Sequence, residues 1–259
     1  MTAPDARIHA QASIGFGRAA EVYDRGRPDY PQSAVDHLVH VLDINPQSHV
    51  VELGAGTGKC TTRLTATGAT VIAVEPVASM RNRLAERLPG VKIVDGTAEA
   101  IPLPDLSVDA VVVAQAFHWF DGPRALAEIH RILKPGGGLG LVWNVRNEAL
   151  PWVHKLTAIL DQREGDVPQY RTLKWMAAFK SSALFSPLET RVFEHVQLLT
   201  PTKLRDRVAS ISFVAALPEV ERAAVLDQVR ELVQSEPAIR GLGEFEMPYR
   251  TFTYWCRKS

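Results

Sequence analysis

From His49 onward, short apolar runs rich in β-branched residues alternate with stretches whose apolar residues return every three or four positions. The runs are His49-Val-Val-Glu-Leu53, Thr70-Val-Ile-Ala-Val-Glu75, Val91-Lys-Ile-Val-Asp95 and Val108-Asp-Ala-Val-Val-Val-Ala-Gln115. Between them the spacing predicts a helix after Gly58, a second over Ala78 to Leu88, and a third over Pro123 to Leu133 with the stripe Leu126, Ile129 and Leu133. Lys134-Pro-Gly-Gly-Gly138 then reads as a helix stop and sharp turn, followed by a strand over Leu139 to Trp143. Strands that alternate with helices and are apolar on both faces predict a parallel sheet covered on two sides.

The flanks are less regular. Ser33 with Asp36 three residues on resembles a capping box, ahead of Val35, Leu38 and Leu42 on one helical face. Beyond the core, Trp152 to Leu160 and the set Val225, Leu226, Val229, Leu232 and Val233 have helical spacing. Thr190 to Leu199 and Phe245 to Trp255 read as two late strands, the second alternating through Tyr249, Thr251, Thr253 and Trp255. The expected fold is α/β: a Rossmann-like, doubly wound, mostly parallel seven-stranded sheet with helices on both faces and a helical lid. The expected organisation is an N-terminal segment and helix over residues 1–47, a core over 48–145, and a region over 146–259 that supplies the lid and the last two strands.

Composition narrows the function. The chain has 259 residues, 46% hydrophobic and 22% charged, the proportions of a folded globular domain. Lys+Arg and Asp+Glu both number 29, so no long-range positive field exists to gather nucleic acid or an anionic membrane. Cys60 and Cys256 lie too far apart in the chain for a CxxC pair, which favours a reducing cytoplasmic location. Met1 to Ala10 has no apolar stretch of signal-peptide type, and Asp109, Gln115 and His118 interrupt the most apolar segment, so no membrane partner is expected. His37 and His40 stand at helical spacing but have no third ligand nearby, and no metal site is assigned.

The chemistry concentrates in Val50-Val-Glu-Leu-Gly-Ala-Gly-Thr-Gly-Lys-Cys-Thr61. A P-loop would need glycine where Leu53 stands and a hydroxyl where Cys60 stands. A dinucleotide fingerprint begun at Gly54 would need its third glycine where Lys59 stands. What remains is a GxGxG turn at Gly54, Gly56 and Gly58 with an acid, Glu52, just ahead of it. A carboxylate there repels phosphates and attracts an ammonium or sulfonium group.

On these residues the chain resembles the class I S-adenosylmethionine-dependent methyltransferases, over roughly residues 48 to 145, because further motifs follow in order. Glu75, followed by Pro76, ends the second strand where the family holds both ribose hydroxyls. Asp95-Gly-Thr-Ala-Glu99, then Ile101-Pro-Leu-Pro104, is similar to the segment at the adenine edge, which implicates Thr97, Ala98 and Glu99. Val113 to Phe120, with Gln115, and Leu133-Lys-Pro-Gly-Gly-Gly-Leu139 match the family's later motifs.

The upstream pattern Phe16, Ala20, Tyr23, Arg27-Pro28, Tyr30-Pro31, taken with Ala114-Gln-Ala-Phe-His-Trp119, resembles the small-molecule branch that includes trans-aconitate-type methyltransferases. That resemblance implies S-adenosylmethionine as cofactor, with Tyr23 and Arg27 near its methionine carboxylate. Neutral charge and chain length favour a small organic acceptor over a macromolecule, and Arg27 with Arg250 favours a carboxylate. His118, Trp119, Tyr249 and Arg250 are expected on the acceptor side of a monomer or homodimer. His118 is either a catalytic base or part of an apolar pocket wall. The competing functional class is a catalytically silent cofactor-binding fold serving as a regulatory subunit.

Overall fold

The computed structural model describes residues 26–165 and 167–259. The chain divides into two compact units. A sheet unit comprises Asp29–Asn144, Pro168–Phe193 and Thr251–Ser259, and the described residues of a helical unit are 26–28, 145–165, 167 and Glu194–Arg250.

Seven strands form one sheet: β1 (His49–Leu53), β2 (Thr70–Val74), β3 (Lys92–Val94), β4 (Val108–Ala114), β5 (Leu133–Arg146), β6 (Glu189–Leu199) and β7 (Phe245–Arg257). Their order is β3-β2-β1-β4-β5-β7-β6, and the pairs β2–β3, β1–β2, β1–β4 and β4–β5 are parallel. The strands follow the sequence closely because their residues are apolar on both faces: Val50, Val51, Leu53, Val111, Val112 and Val113 are all fully buried.

Helices α1 (Gln32–Val41), α2 (Lys59–Thr65), α3 (Ala78–Arg87) and α4 (Gly122–Ile132) belong to this unit. Val35, Leu38 and Leu42, from α1 and its end, and Leu64 of α2 join one core cluster with Val50, Val71, Val112 and Val142. Glycine lets α1 pack close: a Cβ added at Gly138 or Gly140 would stand 2.7 or 2.8 Å from a Leu42 side-chain carbon. Asp121 caps α4 by accepting from the Arg124 N–H, with Pro123 in the first turn.

Two expectations change. Ser33 is not a cap, since α1 already starts at Gln32 after Pro31 and makes no side-chain cap bond. Proline supplies the entry conformation there, with its φ fixed and its missing N–H costing nothing ahead of the first turn. The second change concerns Lys134 to Gly138, which is not a turn before the strand but part of β5, which starts at Leu133. Val108 pairs with Leu133 and Ala110 with Gly138, so the extra residues are absorbed as an irregularity inside the ladder.

The helical unit contains α5 (Pro151–Asp161), α7 (Pro201–Ala209), α8 (Ser212–Ala216) and α9 (Glu219–Ser235); the five-residue α6 (Met176–Lys180) belongs to the sheet unit. The α9 stripe Val225, Leu226, Val229, Leu232 and Val233 is buried in one core with Trp152, Val153, Leu156 and Leu160 of α5. Thr200 caps α7 by accepting from the Lys203 N–H, with Pro201 next in the chain. Among the described residues no helix is long and apolar enough to cross a membrane.

Candidate active site

The sheet reverses its winding between β1 and β4, and the parallel register puts Leu53 level with Val74 and with Val113. The loops after β1, β2 and β4 therefore leave the same end of the sheet side by side, at the switch point where open α/β sheets hold ligands.

The loop after β1 turns because its glycines adopt left-handed backbone, φ 66° at Gly54 and 57° at Gly56. Their surroundings differ. A Cβ at Gly54 would lie 2.7 Å from the Ala116 Cβ, whereas one at Gly56 would meet nothing within 4 Å. Gly54 is thus required by packing, and Gly56 faces open space that a ligand can use.

Glu75 holds this loop. Its Oε2 accepts from the Gly56 N–H and its Oε1 from the Val77 N–H, each at 2.9 Å. The carboxyl is buried, and desolvation raises its pKa against the pull of those two backbone donors. Each carboxylate oxygen has a second lone pair, so acceptor capacity remains for further donors. Behind it, Arg81 donates to the Glu75 carbonyl at 2.8 Å and forms a two-bonded pair with Asp95, both bonds at 3.0 Å.

Glu52 is more deeply buried, at 1% exposure, and accepts from the Thr61 hydroxyl at 2.5 Å. Desolvation lifts its pKa to about 8, with the Glu75 charge adding to the rise and the Thr61 and Cys60 hydrogen bonds opposing it. A cationic group nearby would favour its ionised form again.

In the segment after β3, Thr97 bridges to Ala100, Ala98 is buried, and Glu99 Oε1 accepts from the Asp121 N–H at 2.9 Å. Pro76 is exposed beside Glu75. After β4, Gln115 has φ 59°, a left-handed conformation uncommon outside glycine. Its N–H donates to the Val142 carbonyl at 2.9 Å and its side-chain amide to the Asn144 carbonyl at 3.3 Å. Asn144 is itself fixed by the Thr251 hydroxyl at 2.6 Å and by the Asp29 carbonyl at 3.1 Å.

A 3-10 turn over Phe117–Trp119 carries His118, whose ring lies 5.5 Å from that of Trp119. The Trp143 Nε1 donates to His118 Nδ1 at 3.2 Å. An indole N–H can only donate, so Nδ1 is the acceptor and the neutral ring carries its proton on Nε2. Trp143 is buried among Tyr170, Trp175 and Tyr254, which fixes its orientation.

Glu52, Gly54, Gly56, Gly58, Glu75, Pro76, Thr97, Ala98, Glu99, Gln115, His118 and Trp119 all belong to the sheet unit. Tyr23 lies outside the described residues. Arg27, Tyr249 and Arg250 belong to the helical unit, where Arg27 donates to the Ser210 carbonyl at 3.1 Å. Tyr249 and Arg250 do not share a face, since strand alternation buries Tyr249 and leaves Arg250 exposed, 3.5 Å from Glu194. His37 packs against Phe193 and Trp255.

Sequence reasoning passed over Trp143, Asn144, Arg146 and Arg207. Arg207 did leave a signal: it sits three residues after Leu204 and one before Val208, on the apolar side of α7.

A sheet of this order, with a GxGxG loop tied to a strand-end acid, defines the class I S-adenosylmethionine-dependent methyltransferase fold. Residues 51–141 match the model of the methyltransferase domain. An uncharacterised methyltransferase of Mycobacterium tuberculosis (strain ATCC 25618 / H37Rv) is 43% identical over 239 residues, covering 92% of this chain and 93% of that protein. The chain belongs to the methyltransferase family.

A solved structure described as a type II methyltransferase from Anaeromyxobacter dehalogenans superposes with a TM-score of 0.65 at 23% identity, covering 90% of this chain and 97% of that one. A phosphoethanolamine N-methyltransferase 2 of Haemonchus contortus, in complex with S-adenosylhomocysteine and phosphomonomethylethanolamine, superposes at 0.50 and 16% identity, covering 87% of this chain and 52% of that one. S-adenosylmethionine is the cofactor, and the residues present fit it: Gly56 leaves room beside the backbone, and Glu75 retains acceptor capacity for hydroxyl donors.

Proposed function

We propose that the protein methylates a small organic acceptor on a carboxylate oxygen. The observation that carries the acceptor class is the Trp143–His118 hydrogen bond, which occupies the one lone pair the neutral imidazole could use as a base. A ring whose Nδ1 is occupied in this way suits an acceptor that is already ionised. A carboxylate needs no base at neutral pH.

S-adenosylmethionine supplies an electrophilic methyl on a cationic sulfur. On this reading the acceptor oxygen forms its bond to that carbon as the carbon–sulfur bond breaks, and no proton changes hands. The protein's work is alignment and exclusion of water. Gly56 gives the cofactor room, Glu75 accepts from its ribose hydroxyls, and the backbone around Thr97, Ala98 and Glu99 borders its adenine. Glu52 favours its positive charge, and Gln115 limits it at the end of β4. Trp119, beside His118, is proposed to border the acceptor. A small acceptor, rather than nucleic acid, is supported by the balance of 29 basic and 29 acidic residues. A cytoplasmic location is supported by two buried cysteines that remain free thiols.

The test is release of S-adenosylhomocysteine from the full chain across a panel of carboxylic acids, phenols and amines, followed by a pH–rate profile of wild type and His118→Ala on the best acceptor. A carboxylic acid as best acceptor, with both profiles keeping the same limbs, is expected. Turnover confined to phenols or amines, with a limb lost in the variant, overturns the reading.

A further inference from the structure

Arg207 is 5% exposed on the apolar side of α7, and its Nε donates to the Tyr249 hydroxyl at 3.2 Å. Tyr249 is buried too, and its own O–H is directed to Gln197 Oε1 at 3.2 Å or Met247 Sδ at 3.5 Å. One edge of the guanidinium is therefore anchored. At the other, Nη1 is buried and has no hydrogen-bond partner among the described residues.

A second guanidinium belongs to the same environment. Arg146, at the end of β5, makes one hydrogen bond among the described residues, from Nε to the Thr157 hydroxyl at 3.4 Å. It keeps some exposure along its length, but its charged end is desolvated. That desolvation first, and repulsion from Arg207 second, lower its pKa to about 10, while Tyr249, Glu148 and Asp161 act in the opposite direction. Neither arginine forms an ion pair with a carboxylate among the described residues.

A buried cation is costly unless paired and fully hydrogen-bonded, and a second cation close by adds to the cost. Where no carboxylate among the described residues pairs with either charge, a ligand can. A guanidinium offers its donors in a planar fork matched to carboxylate or phosphate oxygens. We propose that Arg207 and Arg146 form a binding site in the helical unit for a small organic anion, whose carboxylate or phosphate oxygens accept from Arg207 Nη1 and from the Arg146 guanidinium. Two positive charges that no carboxylate among the described residues pairs suit a group or pair of groups carrying up to about two negative charges. Tyr249 and Gln197 hold Arg207 in place and are positioning residues for this ligand.

The inference stands apart from methyl transfer, and it is tested without S-adenosylmethionine, so its failure leaves that reading untouched. The full chain is titrated calorimetrically with inorganic phosphate, with succinate, and with succinamide as a neutral control. Binding of phosphate or succinate but not succinamide is expected, and the tighter of the two identifies the group. Arg207→Met and Arg146→Met should each weaken that binding by about tenfold or more. In thermal melts without anion, Arg207→Met should be no less stable than wild type, because an unsatisfied buried charge has been removed. A residue with a purely structural role would instead lower the melting temperature and leave no anion effect to lose. Should Arg207→Met not fold, Arg146→Gln decides by the same affinity criterion. Absence of binding of both anions to the wild type, or affinity unchanged in the variants that fold, overturns the proposal.

Discussion

The two units treat buried charge in opposite ways. In the sheet unit, Glu52 and Glu75 are buried acids whose hydrogen bonds come from their own neighbourhood: the Thr61 hydroxyl for one, the Gly56 and Val77 amides for the other. In the helical unit, Arg207 is as buried as Glu75, yet Nη1 finds no partner among the described residues. Acids satisfied locally serve to hold a loop in its binding shape before any ligand arrives. A cation left unsatisfied gives nothing to the fold by itself, and its stabilisation is deferred to a ligand.

Substitutions that break the first arrangement should have the largest effects. Gly56→Val puts a branched side chain into the open space at a left-handed position, so calorimetry should find S-adenosylmethionine affinity reduced more than about a hundredfold. Circular dichroism should find the fold retained, with a loss of roughly 1–3 kcal/mol from backbone strain. Glu75→Ala should weaken cofactor binding at least about tenfold. Glu75→Gln sharpens this result. Its neutral amide keeps the shape but can replace only one of the two acceptors facing Gly56 and Val77, so affinity should fall there as well, by less than in Glu75→Ala.

Glu52 allows a test by pH. The native carboxyl keeps its proton up to about pH 8, whereas the unfolded one releases it near its ordinary lower value, so between those two pH values the native state binds more protons. Stability from this group is therefore present at acid pH and is lost as pH rises toward 8, by at most about 1.4 kcal/mol per pH unit. Glu52→Gln should flatten that dependence in denaturant titrations at a series of pH values. His118→Ala, turning over a carboxylate, should slow the rate less than about tenfold, well below the loss expected of a removed base. The smallest effect is expected for Arg250→Ala: an exposed charge 3.5 Å from Glu194 should change stability by under about 0.5 kcal/mol in the same titrations.

Much of this arrangement was legible in the sequence, for physical reasons. A parallel sheet covered on both faces needs unbroken apolar strands, so β1, β2 and β4 showed directly as Val-rich runs. The GxGxG turn needs glycine backbone at fixed positions, so spacing located the loop after β1, and the family resemblance of the motifs around it implied the cofactor. The two misread segments, Ser33 and Lys134 to Gly138, are places where a neighbour overrode the local signal: Pro31 started α1 without a side-chain cap, and pairing with β4 drew a glycine run into a strand. The pairing of Trp143 with His118 was not legible, because it joins residues 25 apart through a contact that only the packed sheet creates. Arg207 left a trace as a charge on an apolar helix side, but its missing partner can be seen only in three dimensions.

Gln115 sets a limit on how this chain can vary. Its left-handed backbone costs a side-chain-bearing residue roughly 1 kcal/mol that glycine would not pay, while glycine adds a similar amount of freedom to the unfolded chain. These effects nearly cancel, so a drift from glutamine to glycine at this position would be almost invisible to selection for folding. What separates the two is the amide, which reaches Asn144 and through it the Asn144–Thr251 bond. Position 115 can therefore vary without unfolding the protein while still changing the end of β4 at the switch point of the sheet, the kind of place where one scaffold diverges in what it binds.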